Sequence, residues 1–180
     1  SLEINKFCYA GVSLGGAIGL TLALRYPNRV NVVLPICSAP KFGDSDSWIS
    51  RAQQVRENGT AQFVDGTRDR WFSKRYQERI PENVEQTLKM LETVDRESYA
   101  LGCEALAKYD ITNRLGEIDV PVMVVAGELD PVVPYSSALE YSQKLGAGSI
   151  IEVLGVAHQA VLEAPEVLAK HINYSVRQNK

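Results

Sequence analysis

The sequence predicts an α/β fold: four parallel strands with flanking helices, and an all-helical insertion between the second strand and the third. Three observations carry this. Short apolar runs alternate with amphipathic segments at both ends of the chain, the pattern of a parallel sheet covered on both faces. The middle, Lys41 to Arg114, holds charged amphipathic segments and no convincing strand. A glycine-flanked serine, Gly11-Val12-Ser13-Leu14-Gly15, joins the first apolar run to the first helical segment.

The first strand is read over Lys6 to Val12, a short and partly aromatic apolar run. The helix after it places Leu14, Ala17, Ile18 and Leu22 on one face, and Pro27 closes it. Its small residues, Gly15, Gly16, Ala17 and Gly19, predict a close approach to the sheet. Arg29 to Cys37, Val120 to Gly127 and Ser149 to Gly155 read as the second, third and fourth strands. A helix over Tyr135 to Leu145 separates the last two, and a final helix begins at Pro165, a residue suited to a first helical position. In the middle, "DSWISRAQQVRENG", "DRWFSKRYQERI", "PENVEQTLKMLETV" and "DRESYALGCEALAKYD" each read as a helix. Residues 1–40 and 115–180 therefore form the sheet portion, and residues 41–114 a helical cap.

Composition excludes several classes. The chain has 180 residues and a net charge of −3, without the basic stripe a nucleic-acid binder needs. No apolar run approaches the roughly 20 residues that span a membrane. The opening "SLEINK" lacks the basic start and apolar core of a signal peptide. Three scattered cysteines, Cys8, Cys37 and Cys103, do not make a disulfide framework, and with two histidines and no C-x-x-C they argue against a zinc site. They read as buried apolar thiols in a reducing compartment, so a cytoplasmic location is expected.

The chemistry-bearing pattern begins at Ser13. A serine hydroxyl needs a base to become a nucleophile. G-x-S-x-G supplies a strained strand-to-helix turn that lifts the hydroxyl above a sheet. The same glycines would also serve a turn needed only for packing. The expected base is His158, in a loop after the last strand, since His171 falls within the final helix. The expected orienting acid is Asp130, which follows the C-terminal end of the third strand, where catalytic groups of open α/β sheets collect. Asp130 could instead cap the helix after Pro131. Asp119 precedes the same strand, and Asp110 lies in the insertion. The order Ser13, Asp130, His158 is that of the α/β-hydrolases.

With these segments the sequence resembles an α/β-hydrolase, and more narrowly a 3-oxoadipate enol-lactonase. The resemblance rests on "GVSLGGAIGLTLALRYPNRV", "RWFS" at Arg70 to Ser73, "YALGCEAL" at Tyr99 to Leu106, "DVPVMVVAGELDPVVP" and "GVAHQAVLEAPEVL". It implies a serine hydrolase that opens a carboxymethyl enol-lactone to 3-oxoadipate through an acyl-enzyme, with no metal or organic cofactor. It places one oxyanion donor at the backbone N–H of Leu14. A substrate carboxylate wants a cation, and Arg68, Arg70, Lys74 and Arg75 surround Trp71 and Phe72. Trp71 lining the pocket and Arg70 or a neighbour pairing with the carboxylate is one reading; a solvated basic face with Trp71 as a core anchor is the other. Other esterases, cofactor-free perhydrolases and a non-catalytic truncated paralogue share much of this pattern.

The resemblance covers the C-terminal part of such an enzyme. Four strands and the loop carrying the second oxyanion donor are expected before Lys6, about 60 to 90 residues. The first strand would otherwise show a bare apolar edge, so another chain or an N-terminal segment is expected to complete the sheet. The 180 residues alone are expected to be nearly inactive. The remaining expected partner is a small lactone or ester, not a membrane or nucleic acid.

Overall fold

The computed structural model describes residues 3–179. They form two compact units: one runs to Pro40 and resumes at Ile111, and the other is Lys41–Asp110. The sequence pattern carried the helical segment on to Arg114. The boundary falls earlier because the Ile111 N–H donates to the Pro40 carbonyl at 3.0 Å, and the next turn, Thr112–Glu117, buries Leu115.

The first unit holds a four-stranded parallel sheet. Its strands are β1 (Phe7–Val12), β2 (Val30–Ile36), β3 (Val122–Gly127) and β4 (Gly148–Val153), in spatial order β1-β2-β3-β4. The two inner strands are Val-rich and almost wholly buried, as a sheet covered on both faces requires. Register decides what the sheet presents. Val12 pairs with Ile36, and Ile36 with Val125, so the C-terminal ends of β1 and β2 stand level with Val125, two residues before the end of β3. Gly127 pairs with Val153, which brings the end of β4 alongside. The residues after all four strands therefore emerge along one edge.

Helix α1 (Leu14–Arg25) lies against β1 and β2. Its buried residues are Gly16, Ala17, Gly19, Leu20 and Ala23. This differs from the expected face: Leu14 and Ile18 are exposed. At Gly19 the helix sits too close to the sheet for a side chain, while Leu20 beside it is fully buried. A Cβ on Gly19 would lie 2.7 Å from the Tyr9 ring and 2.8 Å from Val33 Cγ1, whereas one on Gly15 meets nothing within 4 Å. In the second half of the unit, α7 (Tyr135–Ser142) packs on β3 and β4. A short α8 (Ala160–Glu163) precedes α9 (Pro165–Gln178).

The second unit is entirely helical: α2 (Ser45–Asn58), α3 (Val64–Trp71), α4 (Lys74–Arg79), α5 (Pro81–Glu92) and α6 (Arg96–Lys108), with a 3-10 turn at Ala61–Phe63. Ala52, Ala100 and Cys103 form the seam between α2 and α6. Asp44 and Asp95 cap these helices by accepting from the Ser47 and Ser98 N–H groups. The single helix expected over "DRWFSKRYQERI" is two. Phe72 turns extended and is buried to 1% exposure, stacked on Tyr76. Ser73 then starts α4 by accepting from the Tyr76 N–H. Burying Phe72 outweighs one continuous helix.

Among the described residues no helix is long and apolar enough to cross a membrane.

Candidate active site

Ser13 follows β1 and starts α1. Its backbone sits at φ 52°, ψ −116°, a conformation costly for a residue with a Cβ. Three contacts hold it there. The Ser13 N–H donates to Ile36 O at 2.8 Å, and Ser13 O accepts from the Ala17 N–H at 3.1 Å and from the Ser38 hydroxyl at 2.7 Å. A serine in this position usually caps the helix with its own oxygen. Ser13 makes no such bond, so its hydroxyl is not engaged by the helix end. Gly11 and Gly16 are required by space, whereas Gly15 is not. A Cβ on Gly11 would lie 2.5 Å from the Gly15 carbonyl carbon, and one on Gly16 would lie 2.5 Å from Ser38 Cβ. Leu14 is the first residue of α1, where backbone N–H groups have no intrahelical acceptor and the helix dipole is positive. That end of the helix can stabilise a developing oxyanion.

Asp130 and His158 come from the loops after the C-terminal ends of β3 and β4. The turn after Gly127 closes with the Asp130 N–H donating to Gly127 O, and the Leu129 N–H donates to Val156 O at 2.9 Å. Asp130 is buried and its carboxylate is pinned: Oδ1 accepts from the Val132 N–H at 2.8 Å and the Val133 N–H at 3.1 Å. It thus does take a cap-like role, but with one oxygen only. Its other oxygen, Oδ2, lies 2.9 Å from Nδ1 of His158, which is also buried. A carboxylate can only accept, so Nδ1 carries the proton and Nε2 is left as the basic nitrogen. The loop before His158 is held by Glu163, whose Oε1 accepts from the Ala157 N–H at 3.1 Å. His171, the rival base, lies within α9, where its backbone carbonyl accepts from Ser175.

Arg70 and Trp71 belong to the helical unit. Arg70 is exposed in the last turn of α3, and Trp71, its final residue, is half-buried. The core anchor of that segment is Phe72 rather than Trp71.

Three residues were not singled out by the sequence: Cys37, Ser38 and Glu163. The first two follow β2 as Asp130 follows β3, and position at a strand end was the available signal. Sγ of Cys37, a carboxylate oxygen of Asp130 and a ring nitrogen of His158 lie within 4.8 Å of one another. Those residue types also occur as zinc ligands, which bind as thiolate and neutral imidazole. Burial, and then the charge of Asp130, push the Cys37 thiol up to about 12, and the His158 nitrogen nearest the acid already bonds it. The trio suits a hydrogen-bonded cluster better than a metal.

Known proteins resemble this chain throughout. It is 36% identical over 165 residues to 3-oxoadipate enol-lactonase 2 of Acinetobacter baylyi, covering 92% of the chain and 61% of that protein. To enol-lactonase 1 of the same organism it is 32% identical, covering 92% and 62%. The chain thus spans about three fifths of the length of these relatives. The crystal structure of the enol-lactonase from Burkholderia xenovorans LB400 superposes with a TM-score of 0.91 at 27% identity, over 98% of this chain and 67% of that one. The family model described as serine aminopeptidase, S33 (Hydrolase_4) matches residues 3–165, and the chain belongs to this family of α/β-hydrolases.

Proposed function

We propose that the protein carrying this chain is a serine hydrolase that opens 3-oxoadipate enol-lactone to 3-oxoadipate, a step of aromatic catabolism. The observation that carries the hydrolytic reading is the buried His158–Asp130 bond at the same sheet edge from which the strained Ser13 turn emerges. Similarity to two enol-lactonases supports the substrate.

In this reading Ser13 Oγ attacks the lactone carbonyl while His158 Nε2 takes its proton. Asp130 holds the imidazole in one tautomer and stabilises the imidazolium. The Leu14 N–H donates to the oxyanion. His158 then returns the proton to the departing enol oxygen, which becomes a ketone. Water, activated by His158, attacks the acyl-enzyme and frees the diacid. No step uses a metal or organic cofactor.

A broader ester specificity is the second reading. It is favoured by 28% identity, over 72% of the chain, to a pimeloyl-[acyl-carrier protein] methyl ester esterase of Legionella pneumophila.

The test is a substrate panel on the naturally expressed protein and its Ser13→Ala variant, with fluorophosphonate labelling. Lactone opening that exceeds methyl-ester hydrolysis and vanishes with Ser13 is expected. Preference for the ester supports the second reading. No labelling of Ser13 overturns both.

A further inference from the structure

Among the described residues three non-glycine positions have positive φ: Glu3, Ser13 and Cys37. Two of them end adjacent strands at the candidate site. A left-handed backbone costs about 1–2 kcal/mol for a residue with a Cβ, and cysteine lacks the short amide or carboxylate that eases it for Asn and Asp. Cys37 at φ 46° is held there by its N–H, which donates to Val125 O at 2.8 Å. The side chain is therefore aimed by the backbone, at 1% exposure, toward Asp130 and His158.

The acid beside it has an acceptor to fill. A carboxylate offers about four lone-pair sites. Val132, Val133 and His158 donate to three of those on Asp130. The Asp130 side chain is fully buried, so bulk water does not reach the fourth. The Cys37 thiol has one proton, and in this structure it donates to the neutral Ala157 carbonyl at 3.8 Å; an oxygen of Asp130 lies no more than 4.8 Å from Sγ and is the alternative acceptor. An ionised acceptor makes the stronger bond.

We propose that Cys37 is a positioning residue of the hydrolytic site: its thiol donates to the Asp130 carboxylate, completes that group's donor set, and so fixes the orientation of His158. This rests on the hydrolase reading above. The thiol is neither nucleophile nor base. Burial keeps it protonated, and hence a donor, throughout the neutral range.

The test compares Cys37→Ser, Cys37→Ala and Cys37→Gly in the naturally expressed protein. Serine keeps a donor, alanine removes it, and glycine removes it while relieving the backbone. The expected order is serine close to wild type, with alanine and glycine both reduced about fivefold in kcat at unchanged KM. The low-field imidazole N–H proton resonance of His158 should persist in Cys37→Ser and shift or broaden in the other two. Glycine matching or exceeding wild type, with serine as poor as alanine, would show a purely backbone role and overturn the proposal. So would an unmoved His158 resonance in Cys37→Ala. Melting temperatures separate these effects from misfolding, since Cys37→Gly is relieved of strain. Fluorophosphonate labelling of wild-type Ser13 keeps failure of the hydrolase reading distinct, because the proton resonance needs no turnover.

Discussion

Asp130 and His158, 28 residues apart in sequence, meet through a buried 2.9 Å bond between Oδ2 and Nδ1. Adjacent parallel strands make that meeting possible: β3 and β4 end side by side, and each delivers one partner. Asp130→Asn keeps the shape but presents an amide where a carboxylate held the imidazole tautomer. We expect kcat to fall about 10⁴-fold with KM little changed. Steady-state kinetics on the lactone check this, and a loss below tenfold would remove Asp130 from the mechanism.

Two neighbouring glycines should respond oppositely. Gly16→Ala pushes a methyl into Ser38, and the clash displaces the hydroxyl that holds Ser13 O. We expect a loss of about 1–3 kcal/mol in stability and lower activity. Gly15→Ala meets open space in a helix and should be neutral or stabilising by up to about 1 kcal/mol. Chemical denaturation of both variants decides it; equal losses would contradict the packing described for α1.

Alkaline stability follows from Cys37. Its folded pKa is raised to about 12, against about 9 for an ordinary thiol. Between those values the unfolded chain loses the proton and the folded one keeps it, so stability falls as pH rises. The full window is worth of the order of 4 kcal/mol. Cys37→Ser should flatten the pH dependence of unfolding from about pH 9 upward. An unchanged slope would place the thiol outside the buried cluster.

Glu163 should matter through the loop it holds. Glu163→Ala removes the acceptor of the Ala157 N–H, next to His158. A drop of about tenfold in kcat is expected, with most of it restored in Glu163→Gln, which keeps an acceptor oxygen. Equal kinetics for alanine and wild type would show that the loop holds itself.

Arg70 is tested by a comparison of substrates. If it receives the carboxylate, Arg70→Ala raises KM for the charged lactone by about tenfold and leaves a neutral ester unaffected. Equal losses on both would assign it to the solvated surface of α3.

The sequence by itself determined the class of fold, the strands and the helical nature of the insertion. Those follow from local apolar periodicity and from turn residues, which act over a few positions. It also singled out Ser13, Asp130 and His158, because a glycine-flanked serine and strand-end placement are local signals too. Three things were decided only in three dimensions. Helix α1 buries Gly16, Ala17, Gly19, Leu20 and Ala23 rather than Leu14 and Ile18, because its approach to the sheet at Gly19 is set by what Tyr9 and Val33 leave free. The helix expected through Phe72 breaks, because burying that ring outweighs continued backbone bonding. Cys37 sits against Asp130 and His158 because the register of three strands puts it there. In the sequence it is one more apolar thiol; only the sheet supplies the neighbours that give its proton a destination.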